Sequence, residues 1–381
     1  MHRTIFDADH EEFRGAVRGF LRTTVEGRVH EFIDQGAIPD DVWLEAGKQG
    51  LLGLQVPELY GGSGADDFRF SAVLTEELAK VTAAFASCFG IHSDIVTQYL
   101  VELGTHEQKE RWLPAMCRGE IRGAIGMTES SGGTDLTGLR TTAVRVGADW
   151  VLNGSKTFIT NGSSAELIVL AARTDPANRT RGITLFAVEA SMPGVTRGRK
   201  LDKVGQSEAD TAELFFEDVI LTDQYVIGEV DQGFGHMMAR LPHERLCAAV
   251  SNLAHAGQIL AETIAYVRER RAFGTAIGSF QYNKFKLAEL VTLLDVSQTH
   301  VDALLAAHVA GRVDPVDTAK AKWWTSQVQN DVLDACVQLY GGYGYMNEYR
   351  VGRAWRDARV TKIWAGTNEI MKELIGRDLG L

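Results

Sequence analysis

The spacing of hydrophobic positions changes twice along the chain. Up to about residue 120 they recur at helical intervals, as in Phe13, Val17, Phe20 and Leu21, and again in Leu74, Leu78 and Val81. Pro57 and the run Gly61-Gly62-Ser63-Gly64 interrupt that pattern and predict a loop. From about 121 to 230 short apolar runs take over: Trp150-Val151-Leu152, Leu167-Ile168-Val169-Leu170, Ile183-Thr184-Leu185-Phe186-Ala187-Val188 and Leu214-Phe215-Phe216. Asn153-Gly154 and Asn161-Gly162 between them predict tight turns. Short strands without long intervening helices predict an antiparallel β domain, a small barrel or sandwich, and not a doubly wound parallel sheet. After about 231 helical spacing returns. Leu246, Val250, Leu253, Gly257, Leu260 and Ile264 form one seam, and Leu287, Leu290, Leu294, Val301, Leu304 and His308 another. The pattern predicts an α+β multidomain chain: an N-terminal helical domain (1–120), a central antiparallel β domain (121–230) and a C-terminal helical domain (231–381).

Length and composition narrow the classes. A chain of 381 residues has room for two or three domains at about 150 residues each. A net charge of −11 opposes nucleic acid and anionic lipid as partners, although a local basic pocket still admits an anionic ligand. No run approaches the ~20 apolar residues of a membrane helix. Cys88, Cys117, Cys247 and Cys336 form no Cys-x-x-Cys pair, so neither a zinc knuckle nor a redox dithiol is signalled. Widely spaced thiols and an acidic N-terminus without a long apolar run predict a reduced, cytoplasmic protein.

Five segments are candidates for chemistry, each with a plain structural reading beside it. Met127-Thr128-Glu129-Ser130-Ser131-Gly132-Gly133-Thr134 offers hydroxyls and backbone N–H groups to an anion or heterocycle, or is a Ser/Gly turn. Phe158 and Thr160 share a face at a strand end, a flat wall beside a hydroxyl, or belong to an ordinary hairpin. Arg268, Arg270 and Arg271, with Phe273 and Gln281 after them, form an arginine fork for a pyrophosphate or a solvated helix end. In Gln338-Leu339-Tyr340-Gly341-Gly342, paired glycines cost about 1 kcal/mol each inside a helix, which implies a close backbone approach or a helix C-cap. Pro242 favours a first helical turn, which would put Glu244 near a helix start, either beside a cavity lined by small residues or simply solvated.

Together with the final Ala365-Gly366-Thr367-Asn368-Glu369-Ile370, these segments resemble the acyl-CoA dehydrogenase family over essentially the whole chain, most closely its long-chain type. The resemblance implies a C-terminal four-helix bundle behind the β domain, FAD as cofactor and a homotetramer. It implies that Met127, Thr128 and Thr134 contact FAD or the thioester, and that Phe158 and Thr160 flank the flavin ring. Arg270, Phe273, Gln281, Gln338, Gly341 and Gly342 would hold the ADP half of a FAD bound mainly by a neighbouring subunit. Thr367 and Glu369 would complete that site, with Arg245, Ala365 and Gly366 beside the substrate.

Many members carry their catalytic glutamate where Ala365 stands. Long-chain and isovaleryl members have a small residue there and take the base from the position of Glu244. Two loop residues also depart from the family, with Ser130 in place of proline and Thr134 in place of serine. The implied reaction is α,β-dehydrogenation of a saturated, medium to long acyl-CoA to the trans-2-enoyl thioester. Glu244 removes the α-proton, the β-hydrogen leaves as hydride to the flavin, and electrons pass to an electron-transferring flavoprotein. The backbone N–H of Ala365 helps polarise the thioester carbonyl. Alternatives are a short branched-chain (isovaleryl-type) enzyme, a carrier-protein thioester dehydrogenase, a flavin monooxygenase or oxidase on the same scaffold, and a non-enzymatic helical scaffold.

Overall fold

A computed structural model describes residues 3–381; Met1 and His2, the first of the acidic N-terminal stretch, lie outside the described residues. The N-terminal helices are α1 (Ala8–Phe20), α2 (Val29–Gln35), α3 (Asp40–Lys48), α4 (Phe68–Val81), α5 (Ala83–Gly90), α6 (Thr97–Leu103) and α7 (His106–Cys117). Local signals set their ends. Asp7 caps α1 by accepting the Asp9 and His10 N–H groups, and Thr105 caps α7 in a reciprocal pair with Gln108. A π-helical stretch, Ile91–Val96, joins α5 to α6. It places His92, Asp94 and Val96 in the interior.

The central strands are β1 (Gly123–Gly126), β2 (Thr142–Val146), β3 (Asp149–Ile159), β4 (Leu167–Arg173), β5 (Ile183–Glu189), β6 (Val195–Lys200), β7 (Ala212–Leu221) and β8 (Val226–Ile227). They form one eight-stranded sheet in the order β6-β7-β3-β2-β4-β5-β8, with β1 also on β4. Most pairings are antiparallel, as the strand pattern predicts, but β1–β4 and β2–β4 are parallel. Strand β4 reads as an unbroken apolar run because both its faces are covered. Leu167, Val169 and Ala171 pack with Trp112, Leu113 and Met116 of α7, while Ile168, Leu170 and Ala172 pack with Leu152, Leu214 and Phe216. Asn153-Gly154, expected as a turn, instead lies within β3. Gly154 takes φ +147° at a register shift against β7, with the Thr141 backbone so close that a Cβ would sit 2.6 Å from it.

The C-terminal region holds α8 (Gly233–Glu269), the short hairpin β9 (Arg271–Ala272) and β10 (Thr275–Ala276), α9 (Gln281–Val309), α10 (Pro315–Tyr340), α11 (Arg350–Ala358) and α12 (Asn368–Asp378). Leu246, Val250, Leu253 and Leu260 of α8 meet Leu290, Val301 and Leu304 of α9 and Val328, Val332 and Leu333 of α10 in one core, so both predicted seams are the buried faces. Pro242 lies well inside α8 rather than in its first turn. Lacking an N–H, it leaves the Met238 carbonyl without its helical donor. Glu244 is therefore far from the positive end of the helix dipole, and the expected dipole stabilisation does not apply.

Candidate active site

Glu244 projects from α8 toward the α6 side of the N-terminal helices, where the Tyr99 hydroxyl donates to its Oε1 at 3.5 Å. Burial raises its pKa to about 7; Arg240, Arg245 and the Tyr99 hydrogen bond pull the other way without cancelling that effect. A carboxyl at that value exchanges a proton near neutral pH, as a general base requires. Its neighbour Arg245 is buried, and its Nε donates to the Ala365 carbonyl at 3.4 Å.

The lead-in to α12 is shaped by two consecutive residues in the left-handed region, Ala365 at φ +52° and Gly366 at +86°. At φ +86° a side chain on residue 366 would be strained, which favours glycine there; the nearest atom a Cβ would meet is the mobile end of Met371. Lys322 of α10 fixes the turn from the other side: its buried ammonium donates to the Gly366 carbonyl at 2.6 Å and to Asn368 Oδ1 at 3.1 Å. Burial lowers Lys322 to about 8, with Arg245 nearby adding to the effect. Both carbonyls of the turn are thus held by cations, and no backbone carbonyl among the described residues takes the Ala365 N–H. Thr367 caps α12 by accepting the Ile370 N–H, and Glu369 stands exposed in its first turn.

A second group surrounds the loop after β1. Met127 and Thr128 are half-buried and Thr134 is exposed. The Thr157 N–H donates to the Thr128 carbonyl at 3.0 Å, which ties the loop to the end of β3. Beneath it lies a buried ion pair, Lys156 Nζ to Glu129 Oε1 at 2.8 Å. Lys156 also donates to the Met127 carbonyl at 3.1 Å, while the Arg140 and Thr141 N–H groups donate to Glu129 at 2.7 and 3.0 Å. Burial opposes the charge on Glu129, but Lys156 and the two N–H groups hold its pKa down to about 2. Burial lowers Lys156 to about 8 despite its partner. Both values leave the pair ionised at neutral pH. Just beyond, Phe158 is 67% exposed at φ +59°, an apolar ring presented to solvent in a strained conformation. Thr160 is half-buried two residues on.

A third group closes α8 and α10. Arg270, Gln338, Gly341 and Gly342 line one cavity of about 540 Å³ together with Tyr266 and Tyr343. The Arg270 guanidinium lies 5.3 Å from the Tyr343 ring centre. Gly341 is the C-cap of α10 at φ +60°, so the capping explanation of the glycine pair holds for that residue. Phe273, in the β9–β10 turn, is 97% exposed, and Gln281 is exposed at the start of α9; neither lines that cavity. Most expected residues therefore fall into three groups, around Glu244, around the β1 loop with the end of β3, and around the Arg270 cavity, while Phe273 and Gln281 stand outside all three.

Tyr99, Lys156 and Lys322 have roles that sequence reasoning missed. Lys156 had a signal: it falls on the alternate positions occupied by Trp150 and Leu152, where a charge within a core face demands a partner. Tyr99 and Lys322 had none, since each depends on contacts far away in sequence.

Family models match the chain along most of its length: acyl-CoA dehydrogenase N-terminal domain over residues 7–120, middle domain over 124–219 and C-terminal domain over 231–380. The mouse mitochondrial long-chain specific acyl-CoA dehydrogenase is 45% identical over 99% of this chain and 88% of its own length. An acyl-CoA dehydrogenase from Geobacillus kaustophilus superposes with a TM-score of 0.98 at 43% identity, covering 100% of both chains. A Mycobacterium smegmatis glutaryl-CoA dehydrogenase solved with FADH2 superposes with a TM-score of 0.92 at 27% identity, covering 98% of this chain and 95% of that one. The chain belongs to the acyl-CoA dehydrogenase family and is an oxidoreductase that dehydrogenates acyl-CoA.

Proposed function

We propose that this enzyme oxidises medium to long saturated acyl-CoA to the trans-2-enoyl-CoA, with Glu244 as the base. The observation that carries this reading is the half-buried Glu244 carboxyl, raised to about 7, next to a turn whose Ala365 has no carboxyl of its own. The residues present fit FAD. Phe158 offers an open aromatic face, the β1 loop is braced from below, and the Arg270 cavity combines a guanidinium with side-chain-free backbone at Gly341 and Gly342. Met127, Thr128, Thr134, Phe158 and Thr160 would hold its ring end. Arg270, Phe273, Gln281, Gln338, Gly341, Gly342, Thr367 and Glu369 would hold the rest, in part from a second subunit. When bound, FAD accepts the substrate's β-hydrogen as hydride.

This chain's own residues do the remainder. Glu244 takes the α-proton, and its raised pKa strengthens it as a base. The Ala365 N–H donates to the thioester carbonyl, and Arg245 and Lys322 keep that N–H aimed by fixing the two carbonyls around it.

A homotetramer is part of the proposal. The exposed face of α9 carries Phe285, Ala288 and Val296 along an open groove, a surface suited to a second copy. Electron-transferring flavoprotein is the proposed electron acceptor. No helix among the described residues is long and apolar enough to cross a membrane. The four free thiols, buried or half-buried, suit the reducing cytoplasm proposed here. Domain boundaries near residues 120 and 230 are proposed with it. Anaerobic addition of a saturated acyl-CoA series to the purified protein tests the reading. Bleaching of a visible flavin band by medium or long chains supports it; a colourless protein, or bleaching only by short branched chains, contradicts it.

A further inference from the structure

Arg240 precedes Glu244 by one turn of α8. One of its terminal nitrogens pairs with Glu102, and the side chain is 12% exposed. Its Nε and Nη2 are buried with no hydrogen-bond partner among the described residues. His243 adds a third orphan: its Nε2 is buried and unpartnered, while its Nδ1 faces His308 Nε2 at 3.1 Å. Native interiors leave few such atoms, and each asks for an explanation.

The Arg240 charge is close enough to bias Glu244, Tyr99, Asp94, His243 and Cys247. It therefore stands where α8 faces the segment from Asp94 to Tyr99, on the same side of α8 as the base. The donor atoms of Asp94, His243 and Cys247 lie within 4.8 Å of one another, the spacing of a metal site. A metal ion there would meet the Arg240 cation, and the unmet groups on Arg240 are donors, which call for an acceptor.

We propose that this enzyme prefers acyl-CoA whose chain carries an oxygen, as hydroxyl, keto or carboxylate, and that Arg240 recognises that oxygen. Residues one helical turn apart are separated by about 5–6 Å. The oxygen thus lies a few carbons beyond the carbon that Glu244 deprotonates. Because Glu102 already balances part of the Arg240 charge, both a neutral oxygen and a carboxylate can be accepted. The inference rests on the dehydrogenase reading above and deepens its substrate class.

The test uses the FAD-loaded enzyme with an artificial electron acceptor. The substrates are octanoyl-CoA, octanoyl-CoA with a hydroxyl moved carbon by carbon toward the tail, and its ω-carboxy counterpart. At least one oxygenated member is expected to exceed octanoyl-CoA in kcat/KM by on the order of tenfold to a hundredfold, the worth of a hydrogen bond to a charged donor. Arg240→Met should bring that ratio close to one, and Arg240→Lys should retain part of it. If octanoyl-CoA matches or exceeds every oxygenated chain, or if Arg240→Met leaves the ratio unchanged, the inference is overturned and the dehydrogenase reading stands. If no CoA thioester in the set is turned over, the dehydrogenase reading fails with it. Should Arg240→Met not fold, the wild-type ratio alone decides.

Discussion

Replacing Lys156 with methionine tests how the β1 loop, the proposed flavin-side loop, is held. The Lys156 side chain is fully buried and that of Glu129 is 5% exposed, so removing the ammonium leaves a carboxylate in the interior. Breaking one side of a buried pair typically costs about 3–5 kcal/mol. Glu129 would keep the Arg140 and Thr141 N–H donors, which places the expected loss near the lower figure, about 3 kcal/mol. The Met127 carbonyl would lose its donor at the same time, freeing the loop. Thermal unfolding should show a fall of several degrees, and the purified variant should carry less flavin. Glu129→Gln with Lys156→Met should recover most of the stability, since no buried charge remains. There is also a pH signature. The Glu129 carboxyl lies well below its ordinary value in the fold, so its contribution is present above about 4.5 and lost as pH falls through about 2. The variant should lose that acid tolerance. A Lys156→Met protein within about 1 kcal/mol of wild type, with full flavin content, would show that this pair does not brace the site.

The other expectations follow from the base and the turn opposite it. The kcat/KM profile should rise as pH increases through about 7, because Glu244 acts only when ionised. Tyr99→Phe removes a hydrogen bond to that carboxylate and should move the limb to higher pH; an unmoved limb would remove Tyr99 from the account. Gly366→Ala puts a side chain at φ +86° and should cost about 1–3 kcal/mol together with much of the turnover, read by unfolding and initial rates; wild-type values would refute the strain argument. Glu244→Gln should be more stable than wild type at pH 8. The raised carboxyl destabilises the fold as pH climbs from about 4.5 to 7, so the gain should grow over that window and vanish below it.

Much of the fold was legible in the sequence. The α8 and α9 seams are the buried faces, and β4 and β5 appear where continuous apolar runs predict them. Asn153-Gly154 misled because the same dipeptide serves a hairpin turn and a strand irregularity, and only the approach of Thr141 decides between them. Pro242 misled because proline favours a first helical turn, whereas the packing of α8 on α4 and α10 carries it in the interior. Glu244 is a candidate base through the resemblance; its local sequence alone gives it only a weak claim. Its raised pKa arises from burial that the fold creates, with Tyr99 arriving from 145 positions away. The β1 loop segment was visible as a motif, but its support by Lys156 was not. Strand alternation shows that Lys156 faces inward without saying what it meets.

The most direct measurement is rapid anaerobic mixing of FAD-loaded wild type and Glu244→Gln with a saturated acyl-CoA, following the flavin band. Wild type should bleach, and Glu244→Gln, with the same flavin content and thermal stability no lower, should bleach slower by on the order of 10²–10⁴-fold. Bleaching of the Glu244→Gln protein at the wild-type rate would place the base elsewhere and contradict the account.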